Sequence, residues 1–423
     1  MSDGSIDIRH EARAKAYAEP LETLNPARPE LFSQDAIWPY FERLRAEAPV
    51  HYTPESDYGA FWSVSRYNDI MAVDTNHEVF SSADGIVLPS LEAEAETAKR
   101  PTRPSFISMD PPRHDEQRKT VSPAVAPGNL QRMEPVIRER AGVILDGLPI
   151  GTPFDWVDLV SKELTAMTLA TLFDFPFEER RKLTHWSDMM TNAPGFGPVT
   201  SWEQKRNQLD ECFGAFDEMW RERASSEPRF DLISMLAHGP ATRDMDLHEF
   251  HGNVGLLIIG GNDTTRNTIS GSIFALNRNP AQYDKLRENP SLIPSMVSET
   301  IRWQTPLAHM RRTATRDFEF GGKMIRAGDK VVMWYVSGNR DDTVIEDPDS
   351  YIIDRPRPRT HLSFGFGIHR CVGNRLAELQ LTVIWEEIIK RFPVVEVIGE
   401  PHRTHSIFVK GYESLPVVIP RRN

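Results

Sequence analysis

The stretch Phe364-Gly365-Phe366-Gly367-Ile368-His369-Arg370-Cys371-Val372-Gly373 carries a cysteine in a glycine-rich loop. Residues 374–392 follow at once, and their apolar positions recur at the spacing of an amphipathic helix. Cys371 therefore lies where a helix begins, and the unpaired N–H groups and positive dipole end of a helix N-terminus favour a thiolate. Gly365, Gly367 and Gly373 lack a Cβ atom, so the loop can bend tightly and admit a flat group against its backbone.

Two interpretations of Cys371 follow from these residues. It is a small buried apolar residue in a glycine turn, or it is an axial ligand for haem iron, for which a thiolate is well suited. The ten-residue stretch resembles the cysteine-ligand loop of the cytochrome P-450 family, Phe-Gly-x-Gly-x-His-x-Cys-x-Gly, at every fixed position. The resemblance implies a haem b enzyme in which Cys371 ligates the iron, Phe364 contacts the cofactor and His369 contacts a haem propionate.

Composition limits the classes of protein that fit. The net charge of −12 and the pI of about 5.6 argue against a nucleic-acid binder. The longest apolar run near residues 254–259 is far shorter than the ~20 residues a membrane span needs, and residues 1–20 lack a signal-peptide core. Two cysteines provide no disulfide framework. We predict a soluble cytoplasmic protein with a polar arm over residues 1–30 and a single domain over residues 31–423.

A long helix is predicted over residues 246–277, which at 1.5 Å per residue spans roughly 45 Å. Its middle is apolar on all sides, as is typical of a buried helix. Each glycine inside it costs about 1 kcal/mol relative to alanine, which indicates close approach to another helix or to a ligand. These glycines are Gly252, Gly255, Gly260, Gly261 and Gly271.

The centre of this helix, Gly260-Gly261-Asn262-Asp263-Thr264-Thr265, resembles the oxygen-activation motif of the same family. A threonine hydroxyl can bond the carbonyl four residues back, here that of Gly260, and so open a groove in the helix. The resemblance implies that Gly260 and Gly261 lie against the haem, that dioxygen occupies the groove, that Thr264 donates a hydrogen bond to it, and that Asp263 supplies protons through water.

His114 and Arg118 stand four residues apart after Pro111-Pro112, which starts a helix well. They therefore share one helical face, which on the residues alone is ordinarily a solvated surface. Members of the family hold haem propionates with His-x-x-x-Arg at this place, and cationic donors suit buried carboxylates. The resemblance also places a propionate-binding arginine at Arg312, with the neighbouring Arg311 as an alternative.

Glu299 and Arg302 stand at i and i+3, which on the residues alone fits an ordinary surface ion pair. Their place between the Asp263-Thr264 motif and the cysteine loop matches the Glu-x-x-Arg of the family. The resemblance implies a buried structural network that Arg355 completes and that supports the haem-binding core.

Residues 85–106 are predicted to be irregular, with the acidic stretch 91–99 as a mobile loop, and loops of this length are usually functional or disordered. In the family this region roofs the substrate pocket, and residues 305–309 and 406–409 fall where the pocket is lined. The residues implied to line the pocket are all uncharged, so the pocket is expected to hold a saturated chain. The implied lining residues are Ile86, Val87, Leu88, Phe106, Leu256, Leu307 and Phe408.

Two hairpins are predicted, one joining residues 50–53 to 60–64 and one joining residues 318–320 to 323–325. A further strand is predicted over residues 330–336, and Ser65 is predicted to cap a helix that ends at Thr75. The family motifs occur in order over residues 35–423. The resemblance implies a mainly α fold with small β-sheets and a haem between the 246–277 helix and the Cys371 loop.

The implied reaction is monooxygenation, in which substrate, dioxygen, two electrons and two protons give an alcohol and water. No flavin or iron–sulfur motif accompanies the chain, so separate proteins must supply the electrons. Family resemblance suggests an iron–sulfur ferredoxin and an NAD(P)H-dependent ferredoxin reductase. The arginines near the cysteine loop form either a docking surface for an acidic ferredoxin or a plain solvated surface: Arg357, Arg359, Arg370 and Arg375.

Residues 261–267 and 306–314 resemble those of bacterial alkane and fatty-acid terminal hydroxylases. Terminal hydroxylation of medium-chain alkanes or fatty acids is therefore the predicted activity, and a terpene or steroid hydroxylase of the same family is the alternative. A peroxide-driven peroxygenase is disfavoured because it does not need the Asp263–Thr264 pair. A haem sensor or carrier, or a helical interaction protein without haem, is a third class.

Overall fold

The computed structural model describes the backbone of residues 4–423 and the side chains from His10 onward. Helices dominate this part of the chain, which confirms the mainly α prediction, and no helix in it is long and apolar enough to cross a bilayer. The helices are α1 (Gly4–Ala18), α2 (Pro29–Ser33), α3 (Trp38–Glu47), α4 (Tyr67–Thr75), α5 (Leu91–Thr97), α6 (Arg113–Val121), α7 (Pro127–Asp146), α8 (Glu163–Phe173), α9 (Arg181–Thr191), α10 (Trp202–Ala224), α11 (Leu232–His238), α12 (Leu247–Arg278), α13 (Pro280–Glu288), α14 (Ile293–Gln304), α15 (Tyr335–Gly338) and α16 (Asn374–Arg391).

The strands form one five-stranded sheet, in the order β1-β2-β8-β5-β3, and three smaller sheets, β4-β12-β9, β6-β7 and β10-β11. They are β1 (Val50–Thr53), β2 (Phe61–Val64), β3 (Phe80–Ser81), β4 (Phe154–Asp155), β5 (Met310–Ala314), β6 (Phe318–Phe320), β7 (Lys323–Ile325), β8 (Lys330–Met333), β9 (Glu396–Val397), β10 (His402–Arg403), β11 (Tyr412–Ser414) and β12 (Pro416–Val418). Both predicted hairpins are present, as the antiparallel pairs β1–β2 and β6–β7.

Helix α12 is the central element, and its predicted bounds are confirmed to within a residue at each end. The Asp246 side chain caps it by accepting a 2.9 Å hydrogen bond from the Glu249 N–H. One half of α12 packs into a buried cluster with α8, α9 and α10, and the other half into a cluster with α7, α14 and α16. The helix is therefore held on several sides, as its apolar middle predicted.

Three local predictions differ from the structure. Ser65 does not cap α4: its hydroxyl donates to the Pro49 carbonyl, and the Tyr67 N–H donates to Asp341 Oδ2 at 2.8 Å instead. Residues 91–97 form a helix rather than a mobile loop, because the Ser90 side chain caps it by accepting from the Ala93 N–H. The strand predicted over 330–336 ends at Met333, where the chain turns into α15.

Residues 4–18, which the sequence placed in a polar arm, form α1, and this helix lies against α3. Ala12 and Ala16 are buried in one apolar cluster with Leu31 and Phe41. The division into an arm over residues 1–30 and a domain over residues 31–423 stays a prediction.

Candidate functional site

A cavity of ≈ 270 Å³ lies between α12 and the loop that carries Cys371. Helix α12 contributes Gly260, Gly261 and Thr264 to its wall, and the loop contributes Phe364, His369 and Cys371. The two motifs that stand more than a hundred residues apart in the sequence thus face one another across one space.

Glycine allows the tight bend of the cysteine loop. Gly365 and Gly367 have φ angles of +65° and +64°, which side-chain-bearing residues rarely adopt. A Cβ atom on Gly367 would also lie 2.6 Å from the backbone oxygen of Asp74. The Cys371 N–H closes the loop by donating a 2.8 Å hydrogen bond to the Phe364 carbonyl. Cys371 is thereby held three residues before the start of α16.

The Cys371 side chain is accessible from the cavity although it lies deep in the molecule. Burial raises the pKa of its thiol above the ordinary value, while the Gly373 N–H and the charges of Arg118 and Arg370 act in the opposite direction. The helix start therefore favours the thiolate as expected, through the Gly373 N–H, but burial outweighs this effect on the pKa of the free thiol. Binding of a metal ion would deprotonate it, because a coordinating thiol loses its proton outright.

The side-chain hydrogen bond that was predicted to open a groove in α12 is present. The Thr264 hydroxyl donates a 3.0 Å hydrogen bond to the Gly260 carbonyl, and the Thr268 hydroxyl donates to the Thr264 carbonyl at 2.7 Å. An added Cβ at Gly260 would meet no described atom within 4 Å apart from its own turn of helix, so this face of the helix opens on the cavity. A hydroxyl at position 264 is thus presented beside open space.

Asp263 does not lie on the cavity wall. Its side chain is fully buried toward α9, where Oδ2 accepts a 3.1 Å hydrogen bond from the Ser187 hydroxyl and Oδ1 lies 2.7 Å from Arg266 Nη2. Arg266 Nη2 in turn lies 2.5 Å from Asp188 Oδ1. Burial raises the pKa of Asp263, and the Arg266 charge opposes this. Asp263, the predicted proton source, therefore points toward α9, whereas Thr264 lies on the cavity wall.

The predicted cationic residues gather at one end of the cavity. Arg118, Arg312 and His369 line it, and His114 lies behind His369 with 4.4 Å between the ring centroids. Arg311 faces elsewhere, since its guanidinium donates to the carbonyls of residues 84 and 85. Of these two arginines, Arg312 therefore lines the cavity and Arg311 does not.

These side chains fit a haem. Both ring nitrogens of His369, and Nε2 of His114, are buried and have no hydrogen-bond partner within residues 4–423. Such buried groups ordinarily have a partner, and the carboxylates of a haem accept from cationic or N–H donors. Cys371 adds the soft sulfur ligand that haem iron takes in haem-thiolate proteins. The donor set therefore matches both the iron and the carboxylates of the cofactor.

Glu299, Arg302 and Arg355 form the buried network that the sequence predicted. Arg302 Nε and Nη2 donate to the two carboxylate oxygens of Glu299, each at 2.8 Å, and Arg355 Nε donates to Oε2 at 3.1 Å. Arg302 also donates to the carbonyls of Asn339, Pro348 and Ser350. The network ties α14 to the segment that precedes the cysteine loop, which is a structural role.

Asp74 was missed by the sequence analysis. Its carboxylate accepts from Arg312 Nη2 at 2.7 Å, from the Tyr335 hydroxyl at 2.8 Å and from the Phe366 N–H at 2.8 Å. Asp74 thereby joins the arginine at the cavity to the cysteine loop. It stands 238 residues before Arg312 in the chain, so no local pattern points to this contact.

The rest of the cavity wall is mostly apolar. Leu88 is a correction to the predicted lining: it is buried with α1, α2 and α3, and its N–H donates to His309 instead. Phe106 lies on the wall as predicted, and Ile107, Leu169 and Leu172 were not predicted. We use the term apolar wall for the lining residues Ile86, Val87, Leu256, Leu257, Leu307 and Phe408.

Comparisons with known proteins agree with this geometry. Residues 198–406 match the family model for cytochrome P-450. Linalool 8-monooxygenase from Pseudomonas putida is 37% identical over 397 residues, which cover 92% of this chain and 97% of that protein. A methyl-branched lipid omega-hydroxylase from Mycobacterium tuberculosis is 31% identical, with 89% and 90% covered. The solved structure of CYP153D17 from Sphingomonas sp. PAMC 26605 is 49% identical, has a TM-score of 0.87, and is matched over 95% of this chain and 100% of that one.

Proposed function

The chain belongs to the cytochrome P-450 family, and from that premise we propose that it hydroxylates the terminal carbon of medium-chain alkanes or fatty acids. Members of this family are haem-thiolate monooxygenases, so the chain is an oxidoreductase that uses haem with a cysteine ligand. The reaction converts substrate, dioxygen, two electrons and two protons into an alcohol and water. The bound haem supplies the activation of dioxygen, and the protein supplies its ligand, its polar contacts and a shaped pocket.

We assign Cys371 as the iron ligand. The other cysteine, Cys212, is fully buried in the cluster around α10, where burial raises the pKa of its thiol well above the ordinary value. Arg118, Arg312 and His369 would hold the haem carboxylates, because they line the cavity next to the cysteine loop. His114 would support His369 from behind.

We assign Thr264 and Asp263 to the handling of protons. The Thr264 hydroxyl is held at the cavity wall by its bond to Gly260, where it can exchange a hydrogen bond with a small molecule in the groove. Asp263 lies at the inner end of a row of ionic groups that continues through Arg266 and Asp188 to Lys162. The Lys162 side chain is 25% exposed, so this row reaches toward solvent.

The apolar wall is the observation that carries the substrate assignment. It contains no ionisable side chain, and the charged residues of the cavity lie at the cysteine-loop end. A saturated chain on such a wall gains about 0.8 kcal/mol for each CH₂ removed from water. Similarity to the 31% identical methyl-branched lipid omega-hydroxylase supports oxidation at a chain end.

A terpene hydroxylase is the second candidate. Linalool 8-monooxygenase matches the chain at higher identity, 37%, than the lipid hydroxylase does. Linalool is a small branched alcohol, which an apolar wall also accommodates. Substrate tests must therefore include both classes.

Product analysis decides between them. Octane, dodecanoic acid, linalool and testosterone are supplied separately to the reconstituted enzyme, and products are separated by gas chromatography. We expect 1-octanol and 12-hydroxydodecanoic acid to exceed their subterminal isomers. Fatty acids of increasing length should bind roughly fourfold tighter per added CH₂ until the pocket is filled. Mainly subterminal alcohols, or turnover of linalool or testosterone alone, would refute terminal chain hydroxylation.

As a P-450 monooxygenase the chain needs redox partners, and we propose a ferredoxin with its NAD(P)H-dependent reductase. Arg357, Arg359, Arg370 and Arg375 are exposed near the cysteine loop, and an acidic protein is attracted to such a surface. The reduction rate of the haem by an acidic ferredoxin should fall as salt is raised, because salt screens exposed charges. A haem reduction rate that does not change with salt would show that these arginines do not dock the ferredoxin.

A further inference from the structure

His309 connects three segments that build the apolar wall. It stands between Leu307 and Met310, which both line the cavity. Its Nε2 accepts a 3.2 Å hydrogen bond from the Leu88 N–H, in the segment that carries Ile86 and Val87. Its Nδ1 lies 3.0 Å from the Ile407 carbonyl oxygen, next to Phe408.

The two partners determine the form of the imidazole. A backbone N–H can only donate, so Nε2 must be the acceptor, and a carbonyl can only accept, so Nδ1 must carry the proton. The ring is therefore neutral with its hydrogen on Nδ1. Burial lowers the pKa of His309 to about 4, which agrees with a neutral ring.

Packing also restricts the ring. His309 is fully buried, and its ring lies 5.4 Å from that of Phe408 and 5.1 Å from that of Trp334, centroid to centroid. The backbone of the same segments is paired alongside it: the Ala308 N–H donates to the Phe408 carbonyl at 2.8 Å, and the Arg311 N–H donates to the Ile86 carbonyl at 2.7 Å. His309 is the side chain that joins both of these backbone pairings.

We propose that His309 is a positioning residue that decides which carbon of the substrate reaches the reaction centre. It holds the strip of wall around Val87 and the strip around Phe408 at a fixed separation from one another. A saturated chain makes few directional contacts, so the distance between the strips determines how far and at what angle the chain can enter. The inference rests on the hydroxylation reaction of the proposed function but not on the identity of the substrate.

Four variants test this role. His309→Phe keeps the ring and removes both hydrogen bonds. The amide of His309→Asn reaches the position of Nδ1 and keeps the bond to Ile407, whereas that of His309→Gln reaches the position of Nε2 and keeps the bond to Leu88. His51→Phe is the matched control, because His51 is also buried and bonded to a backbone oxygen, that of Leu24, in strand β1 away from the cavity.

The ratio of product isomers is the main readout, measured with whichever substrate the wild-type enzyme turns over. We expect His309→Phe to change that ratio by about fivefold or more, which corresponds to ~1 kcal/mol between competing orientations. His309→Asn and His309→Gln should give smaller and different changes, and His51→Phe none. Dissociation constants of the substrate, taken from absorbance titrations, should rise in His309→Phe while haem content stays at the wild-type level.

If His309 had only a structural role, its variants would show lower haem content or yield but the isomer ratio of the wild type. An unchanged isomer ratio in the folded variants would therefore overturn the proposal. If His309→Phe does not fold, the Asn and Gln variants carry the test by the same ratio. A ¹⁵N spectrum of the histidines in the reduced carbon monoxide form gives an independent check, and a ring protonated on Nε2 at pH 7 would also overturn it. If the enzyme oxidises a terpene and no fatty acid, the proposed substrate fails while the ratio test still applies.

Discussion

Asp263 Oδ1 lies 2.7 Å from Arg266 Nη2, and both side chains are almost entirely withdrawn from solvent. The same Nη2 lies 2.5 Å from Asp188, while Nε and Nη1 of Arg266 have no hydrogen-bond partner among residues 4–423. One guanidinium nitrogen thus lies within hydrogen-bond distance of two carboxylates, in the turn of α12 that carries Thr264. Removing one member of a buried ion pair leaves an uncompensated charge, which is far costlier than removing the pair.

Arg266→Met should therefore lower the free energy of unfolding by about 3–5 kcal/mol, because it strands the Asp263 carboxylate in a buried site. The double variant Asp263→Asn with Arg266→Met removes both charges and should regain a large part of that loss. Urea unfolding followed by circular dichroism measures both. Equal stability of the single and the double variant would show that the pair is not coupled.

Thr264→Ala should leave haem content and substrate affinity close to wild type, because the residue lies on the cavity wall and its hydroxyl bonds only its own helix. Without that hydroxyl we expect protons to be delivered to the wrong place, so that hydrogen peroxide release rises and less product forms per NAD(P)H consumed. Thr264→Ser keeps the hydroxyl and is the control. Unchanged coupling in the alanine variant would contradict the role given to Thr264.

Cys371→Ala should abolish both activity and the strongly red-shifted Soret band of the reduced carbon monoxide complex. The chain offers its own control, because Cys212→Ala alters a buried cysteine outside the cavity. That variant should lose only the packing of one sulfur and keep the shifted band. A wild-type spectrum in Cys371→Ala would show that another residue ligates the iron.

Two glycines of α12 should respond oppositely to the same substitution. A Cβ at position 252 would clash with the backbone carbonyls of Arg103 and Pro104, whereas one at Gly260 would point into the cavity. Gly252→Ala should cost about 1–3 kcal/mol of unfolding free energy through overpacking. Gly260→Ala should gain up to about 1 kcal/mol from helix propensity but lose substrate affinity. Urea midpoints and substrate titrations measure these effects, and equal midpoints would contradict the close approach at Gly252.

Sequence reasoning succeeded where the signal is local. The period of apolar residues gave the bounds of α12 and α16 closely, and the spacing of Thr264 and Gly260 gave their hydrogen bond, because a helix repeats every 3.6 residues. The tight bend predicted for the cysteine loop is present at Gly365 and Gly367, whose positive φ angles glycine adopts readily.

Sequence reasoning failed where a distant residue supplies the partner. Ser65 was the best local cap for α4, yet Asp341 accepts from the Tyr67 N–H across 274 positions of the chain. Leu88 looked like a lining residue beside Val87, but the chain bends at residues 86 and 87, and Leu88 lies in the buried cluster with α1, α2 and α3. Asp74 was given no role, and His309 was only part of the predicted pocket-lining segment 305–309, because the hydrogen-bond partners of both residues lie far away in the sequence.

The stability of the protein should depend on pH through His309. Burial lowers the pKa of this residue to about 4, against an ordinary value of 6.5. The folded state therefore keeps the ring neutral while the unfolded state takes up a proton as the pH falls below 6.5. Stability from this group is complete above pH 6.5 and is lost as the pH falls toward 4, at about 1.4 kcal/mol for each pH unit.

His309→Phe removes this titration together with the two hydrogen bonds. The carboxylates also respond to acid, but they do so in both proteins. The difference in unfolding free energy between wild type and variant therefore reports the titration of His309. At pH 7.5 wild type should be the more stable protein. At pH 5 its advantage should be smaller by about 2 kcal/mol, because only wild type pays the cost of keeping a neutral imidazole buried. Urea unfolding of both proteins at the two pH values measures the change. An advantage that stays constant between pH 7.5 and pH 5 would show that His309 is not held neutral in the fold, and the tautomer that joins Leu88 to Ile407 would then be wrong as well.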